Sequence, residues 1–111
     1  MRIKTQDYND VTVVELQGEL DAEFGESFQN TISSIIVKNR DGIVVDMSKV
    51  DFIDSVGLEK LLWARDYCNE NNCQLKFAGL GENCHKILEI TRLENEFDCY
   101  SELTEAVKSF A

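Results

Sequence analysis

A short run of mostly apolar residues, Gly42 to Met47 (GIVVDM), constrains the fold more than any other stretch of the chain. It is rich in β-branched residues, and turn-forming residues flank it, which is typical of a strand buried inside a sheet. Such a strand has to be covered on both faces, and in α/β proteins helices provide that cover. We therefore predict that Ile43, Val44 and Val45 are all largely buried.

The residues before this run predict a β-hairpin followed by a helix. Two β-rich segments, Ile3 to Thr5 and Val11 to Leu16, are separated by the turn-like sequence Tyr8-Asn9-Asp10. Asp21 is well placed to cap the helix that follows, and Gly42 to end it in a left-handed conformation. Apolar residues recur within that helix at the amphipathic steps of three and four, at Phe24, Phe28, Ile32, Ile35 and Ile36.

The residues after the run continue the alternation of helix and strand. The expected elements are, in order, a second helix carrying Leu58, Leu61, Leu62 and Cys68 and ending near Asn71-Asn72, a strand Gln74 to Ala78, a third helix Asn83 to Leu93, a short strand Phe97 to Tyr100, and a last helix carrying Leu103, Val107 and Phe110. We expect residues 1–111 to form one α/β domain, with a mixed, mainly parallel β-sheet packed with α-helices. The opening hairpin supplies the antiparallel part.

The charge of the chain argues against two classes of partner. Its 21 Asp and Glu outnumber its 11 Lys and Arg, which gives a formal charge of −10. Nucleic acids and anionic membrane surfaces are held mainly by Lys and Arg, so neither is expected as a partner. The start of the sequence has no signal-peptide pattern, and no run approaches the ~20 apolar residues of a membrane span, so we expect a cytoplasmic protein.

Metals and cofactors are not expected either. The four cysteines form no C-x-x-C pair, and we interpret them as small hydrophobic residues: Cys68, Cys73, Cys84 and Cys99. The segment Gly79 to Cys84 follows a strand and opens a helix, but it lacks the third glycine of a dinucleotide-binding turn, and Glu82 would oppose a pyrophosphate. We interpret it as a loop with a helix start.

The sequence contains no convincing catalytic group. Ser55 lacks the G-x-S-x-G context of a nucleophile elbow, and His85 belongs to a different helix. Paired carboxylates such as Asp51 and Asp54 arise by chance in a chain this acidic. We therefore expect a binding protein and not an enzyme.

Two aromatic residues on the second helix have two possible roles. Trp63 and Tyr67 are one helical turn apart, offset from the leucine stripe of the same helix. They either close the edge of the core or remain available to a partner.

The junction between the central strand and the second helix, Val50 to Leu62 (VDFIDSVGLEKLL), is the candidate functional segment. It leaves the carboxyl end of the strand, the edge at which α/β sheets meet ligands and partners. Ser55 lies at the helix start, where free N–H groups favour a negative charge such as a phosphate, although Asp54 or Ser55 could instead be a simple N-cap. Gly57 costs about 1 kcal/mol relative to Ala in a helix, and it would let another backbone or a partner surface approach closely.

Three segments carry a resemblance to a known family. Gly18-Glu19-Leu20-Asp21 resembles the GELD-type turn before the first helix of STAS domains, and Val45 to Leu58 (VDMSKVDFIDSVGL) resembles their D-L-x-x-V-x-F-[IM]-D-S-[ST]-G-L signature. Ile90 to Leu93 (ITRL) is similar to the I-T-G-L piece at the end of their third helix. The chain thus resembles, over nearly its whole length, the bacterial anti-sigma factor antagonists.

The resemblance implies a switch in partner-switching regulation. In this family, a histidine-kinase-like ATPase that acts as an anti-sigma factor binds the antagonist and phosphorylates a serine that matches Ser55. The phosphorylated complex dissociates, and a PPM-type phosphatase removes the phosphate. The partner-binding residues implied here are Asp21, beside the phosphoacceptor, and Asp54, Ser55, Val56, Gly57, Leu58 and Glu59.

Three positions depart from the family pattern. Val56 replaces a second hydroxyl residue, Glu59 stands where a small residue is common, and Arg92 replaces a glycine. The main alternative is a STAS subunit of a larger signalling or lipid-transport assembly, in which the same surface is a permanent docking face.

Overall fold

Strands and helices alternate in the predicted order across residues 2–38 and 41–110, the part of the chain that the computed structural model describes. The elements are β1 (Arg2–Tyr8), β2 (Val11–Leu20), α1 (Ala22–Val37), β3 (Gly42–Ile53), α2 (Ser55–Glu70), β4 (Gln74–Ala78), α3 (Glu82–Ile90), β5 (Cys99–Tyr100) and α4 (Leu103–Lys108). The predicted α/β class is confirmed.

The strands form one five-stranded sheet in the order β1-β2-β3-β4-β5. The hairpin of β1 and β2 is antiparallel, and the other three pairings are parallel. Asn9 makes the hairpin turn with a left-handed backbone (φ 56°), which asparagine tolerates well. The mixed, mainly parallel sheet is therefore as predicted, with β3 at its centre.

Helices cover both faces of the sheet. Helices α1, α2 and α3 pack on one face and contribute Phe28, Leu61 and Leu88, among others, to the main core. Helix α4 packs on the other face through Ala106. The side chains of Ile43, Val44 and Val45 are all 0% exposed, which confirms the prediction from the GIVVDM run.

The central strand is longer than predicted. We expected it to end at Met47, but β3 continues to Ile53 and pairs with β2 up to Leu20. Two register shifts interrupt this pairing, between Glu15 and Gln17 and between Gly18 and Glu19. Such bulges break the regular alternation of buried and exposed residues, so the second half of the strand does not have a simple strand pattern.

Gly42 does not end α1. It is the first residue of β3, and its backbone is not left-handed. A Cβ at this position would overlap the Phe110 ring, 2.6 Å from its Cζ and 2.8 Å from its Cδ1. A side chain at this position would force the Phe110 ring to move, so the glycine leaves room for the packing of a residue that follows α4.

The third helix and the last strand are shorter than predicted. Helix α3 ends at Ile90 instead of Leu93, because Arg92 turns the chain with a left-handed backbone (φ 61°). The Leu93 amide then donates to the Leu88 carbonyl (2.8 Å), and the Arg92 amide donates to the Glu89 carbonyl (3.1 Å). These two bonds define a Schellman motif. Strand β5 covers only Cys99–Tyr100, while Phe97 packs edge-on against a neighbouring ring of the core.

Candidate functional site

Two helix N-termini lie side by side at the carboxyl edge of the sheet. The last residues of β2 and β3, Leu20 and Ile53, are register partners in a parallel pair. Each is followed by an aspartate that caps the next helix: Asp21 accepts from the Phe24 amide (3.2 Å), and Asp54 accepts from the Gly57 amide (2.7 Å). Because the Asp54 amide donates to the Leu20 carbonyl (3.1 Å), the two capping residues follow directly adjacent strand ends. The predicted capping role of Asp21 is confirmed.

Ser55 is the first residue of α2, and it is exposed. Asp54 supplies the cap, with an extended backbone (ψ −178°) and a carbonyl that accepts from the Leu58 amide at 2.9 Å. Within the residues that the structure describes, the Ser55 hydroxyl makes no hydrogen bond. The sequence left open whether Asp54 or Ser55 is the N-cap, and the structure shows that it is Asp54. The serine hydroxyl is therefore not needed for the cap.

Gly57 is buried where α2 crosses the end of β2. A Cβ added there would overlap the Leu20 carbonyl oxygen and lie 2.9 Å from the carbonyl carbon. The same carbonyl oxygen accepts from the Asp54 amide (3.1 Å). The close backbone approach expected at Gly57 is thus made by this chain's own β2.

The other predicted partner-binding residues lie on the first turns of α2. Val56 and Leu58 are half-buried, and Leu58 packs against the main core, whereas Glu59 is exposed. Lys60 crosses from α2 to α1, where its ammonium group donates to the Gln29 amide oxygen (2.7 Å). Its methylene chain lies over Gly25, since a Cβ there would be 3.0 Å from both Cγ and Cε of the lysine.

The surface around Ser55 is acidic. Asp54 precedes the serine, Glu59 lies about one turn further along α2, and Asp21 caps the neighbouring helix α1. Within the described residues none of the three takes part in an ion pair. The nearby Lys60 ammonium is directed at Gln29 instead. A negative charge added at Ser55 would therefore meet like charges from the side chains and partial positive charge from the helix N-terminus.

Sequence reasoning missed Phe52 at this edge of the sheet. Its side chain is 47% exposed, although both Val50 and Ile53 are buried. The bulge at Gly18 and Glu19 separates the two buried positions by three residues and turns Phe52 outward. A regular alternating pattern could not have revealed it.

The aromatic pair on α2 closes the edge of the core. Trp63 and Tyr67 stack with ring centroids 4.9 Å apart, and both are half-buried against the main core. Of the two roles left open for them, the packing role accounts for these contacts.

The rest of the described chain carries no competing site of the kinds considered above. Its His, Cys, Asp and Glu residues form no group of three or more placed to hold a metal ion. Gly81 begins α3 without a side-chain cap, and the cavity of about 270 Å³ beside it is lined by the carboxylates of Asp51 and Glu82, which would repel a phosphate. His85 is exposed on the same helix. In the described ranges, every helix is too short or too polar to cross a bilayer.

Comparisons with known proteins agree on one family. The STAS domain family model matches residues 2–106. The anti-sigma-F factor antagonist RsfB of Mycobacterium tuberculosis is 26% identical over 105 residues, which span 95% of this chain and 85% of that protein.

Solved structures share the fold at lower sequence identity. An anti-sigma factor antagonist from Mycobacterium paratuberculosis superimposes with a TM-score of 0.86 and 23% identity, over 97% of this chain and 92% of the other. The antagonist SpoIIAA superimposes in its unphosphorylated form with a TM-score of 0.82 and 18% identity, over 98% and 96%. In its phosphorylated form the values are 0.76 and 18%, over 99% and 100%.

Proposed function

The chain belongs to the STAS domain family, and on that premise we propose that it is an anti-sigma factor antagonist switched off by phosphorylation of Ser55. Its partner in this proposal is a histidine-kinase-like ATPase that acts both as the anti-sigma factor and as the serine kinase. A PPM-type phosphatase returns it to the binding form, and the protein itself catalyses no reaction. The relatives that are named as anti-sigma factor antagonists support the role.

The observation that carries the proposal is that Asp54, and not Ser55, caps the second helix. Asp54 provides the helix cap through its bond to the Gly57 amide, so the fold does not need the neighbouring hydroxyl. Ser55 is exposed at the helix start, where a kinase can reach it. A serine needed only for folding would be expected to make the capping bond itself.

A phosphate at Ser55 would change binding more than it changes the fold. It adds roughly −1.5 to −2 charges at neutral pH, beside Asp54 and one helical turn from Glu59. In the free protein, the helix N-terminus stabilises this negative charge by about 0.3–1 kcal/mol, which offsets part of the repulsion from the neighbouring carboxylates. A partner that covers the same surface removes water from the new charge, and an uncompensated buried charge of this kind costs several kcal/mol.

The binding surface we propose consists of Asp21, Asp54, Ser55, Val56, Leu58 and Glu59, with Gly57 beneath it. Val56 and Leu58 are half-buried and present apolar area between the carboxylates, and the Leu58 side chain packs against the main core. Glu59 adds bulk and charge where small residues are common in the family. The cognate ATPase should therefore present a basic group or open space opposite residue 59.

The test compares wild type with Ser55→Ala and Ser55→Glu. A pull-down from native lysate identifies the ATPase, and titration calorimetry with the purified ATPase then measures the three affinities. We expect Ser55→Ala to bind like wild type and Ser55→Glu to bind at least ~100-fold more weakly, since each 1.4 kcal/mol is a factor of ten. Incubation of wild type with the ATPase and ATP should place one phosphate on Ser55 and none on the Ala variant.

A matched control adds the same charge away from the site. Ser34 is exposed near the C-terminal end of α1, whereas Asp21 caps the N-terminal end of the same helix. Ser34→Glu should bind as wild type does, and all variants should unfold at similar temperatures. Equal affinities for Ser55→Ala and Ser55→Glu would reject the switch and favour the alternative, a STAS subunit with a permanent docking face.

A further inference from the structure

The end of α2 brings two cysteines together. Asn72 has a left-handed backbone (φ 56°), the Asn72 amide donates to the Asn69 carbonyl (3.4 Å), and the Cys73 amide donates to the Cys68 carbonyl (2.9 Å). These bonds define a second Schellman motif. In such motifs the two side chains that here belong to Cys68 and Cys73 frequently contact each other. A single backbone hydrogen bond thus links the two residues, which places their Cα atoms near the ~4.4–6.8 Å separation that disulfides use.

The two thiols interact with each other. A hydrogen bond between them lowers the pKa of Cys73 and raises that of Cys68, and burial raises the pKa of Cys68 further. Burial and the nearby Asp41 carboxylate oppose the effect at Cys73 without reversing it. By contrast, burial raises the pKa of Cys99 to about 11 and also raises that of Cys84. Of the four cysteines, only Cys73 is shifted toward the thiolate.

Cys73 also has a route to solvent. It lines a surface cavity of about 430 Å³ together with Asn69, Asn72 and Arg65. Cys73 is 5% exposed, whereas Cys68 behind it is 0% exposed. A small reagent in this cavity would therefore meet Cys73 first.

We propose that Cys68 and Cys73 form an oxidation site that takes a low-molecular-weight disulfide and becomes an intramolecular disulfide. The Cys73 thiolate attacks one sulfur of the reagent, which forms a mixed disulfide and releases one thiolate. Cys68 then attacks the Cys73 sulfur and passes its proton to the departing sulfur, which leaves as the second thiol. The two cysteines are oxidised, and the reagent is reduced to two thiols.

The geometry favours the intramolecular product. The backbone bond from the Cys73 amide to the Cys68 carbonyl holds the resolving cysteine beside the attacking one, so the second step needs only local side-chain rotation. Low pKa, access to solvent and an adjacent resolving cysteine are the features of oxidisable cysteines in general. This proposal does not depend on the role of Ser55.

The test uses glutathione disulfide and the folded protein, followed by intact mass and peptide mapping. Wild type should lose two hydrogen atoms and show a bond between Cys68 and Cys73. Cys68→Ser should stop at a single glutathione adduct on Cys73, and Cys73→Ser should react at least about tenfold more slowly than wild type. The double variant Cys84→Ser, Cys99→Ser serves as the matched control and should behave as wild type does.

Several outcomes would overturn the proposal. These are a stable glutathione adduct on the wild type, a disulfide that maps to another pair, equal reaction rates for Cys68→Ser and Cys73→Ser, or oxidation only in denaturant. If a serine variant fails to fold, as judged by circular dichroism, brief alkylation of folded wild type replaces it. Cys73 should then be labelled before the other three cysteines, and preferential labelling of any other cysteine would reject the assignment.

Discussion

Replacing Gly57 with alanine tests the geometry that holds the candidate site together. In a helix, alanine is more favourable than glycine by about 1 kcal/mol, so helix propensity alone predicts a stabilised variant. The structure predicts the opposite, because the new Cβ would overlap the Leu20 carbonyl oxygen. The obstacle is backbone, which cannot move without moving the end of β2.

The cost can be estimated from two contributions. Forcing an extra methyl group into a packed site costs about 1–3 kcal/mol, and more where backbone has to shift. Moving the Leu20 carbonyl also disturbs the hydrogen bond that it accepts from the Asp54 amide (3.1 Å), which contributes about 0.5–1.5 kcal/mol. After the gain in helix propensity, we expect Gly57→Ala to lower the free energy of unfolding by about 1–3 kcal/mol.

Urea unfolding followed by circular dichroism measures this change. Gly25→Ala is the matched control, since Gly25 is also a buried helical glycine, but its added Cβ would meet the flexible chain of Lys60 at 3.0 Å. That side chain can move, so this variant should be neutral or up to about 1 kcal/mol more stable than wild type. If Gly57→Ala is as stable as wild type, or shifts in the same direction as Gly25→Ala, the close approach of α2 to Leu20 is wrong.

Three further predictions concern the core, a helix end and an exposed ion pair. Val44→Asp should lose several kcal/mol of stability, because it puts an unpaired charge at a side chain that is 0% exposed; an unchanged thermal midpoint would contradict the burial of β3. Arg92→Gly should raise the free energy of unfolding in urea by about 0.5–2 kcal/mol, because glycine adopts the left-handed backbone at this position (φ 61°) without strain. Asn72→Gly should give a smaller increase. An unchanged stability of Arg92→Gly would contradict the helix end described here. The hydrogen bond from Lys49 lowers the pKa of the Glu15 carboxyl in the folded protein. The stability that this bond provides is therefore present at pH values above the pKa of Glu15 in the unfolded chain, and it is lost as the pH falls through the lower pKa of the folded protein. Lys49→Gln should therefore raise that pKa toward its ordinary value in an NMR titration, and an unchanged pKa would contradict the pairing.

Much of the fold could be predicted from the sequence because hydrophobic periodicity is a local property. The GIVVDM run and the strand Gln74–Ala78 were identified with the correct type, and the latter with its observed limits. The second half of β3 was not predicted, because two bulges remove the periodicity that identifies a strand. The end of α3 was misjudged because Arg92, which is not a glycine, takes the left-handed position, whereas the end of α2 near Asn71-Asn72 was predicted correctly.

The candidate site was predictable only in part. The Asp-Ser pair signals a helix start, but its sequence does not reveal which of the two side chains makes the capping bond. The structure decides this through the 2.7 Å bond from the Gly57 amide to Asp54. Likewise, a glycine near a helix start signals a close approach, but the approaching group, the Leu20 carbonyl, is distant in sequence. Contacts of this kind depend on how β2 and β3 end side by side.

The same contacts bear on how a modification at Ser55 would act. The backbone around the serine is held from both sides, by the Asp54 amide on the Leu20 carbonyl and by the buried Gly57. The serine hydroxyl contributes nothing to this arrangement, so a phosphate there would break no bond of the fold. Because these contacts hold the helix start in place, phosphorylation of Ser55 is not expected to change the conformation of the domain. In our proposal the partner therefore senses the phosphate directly, through its charge. On this argument, amide chemical-shift changes in Ser55→Glu should be confined to the first turns of α1 and α2, and changes that spread through the core would indicate a conformational switch instead.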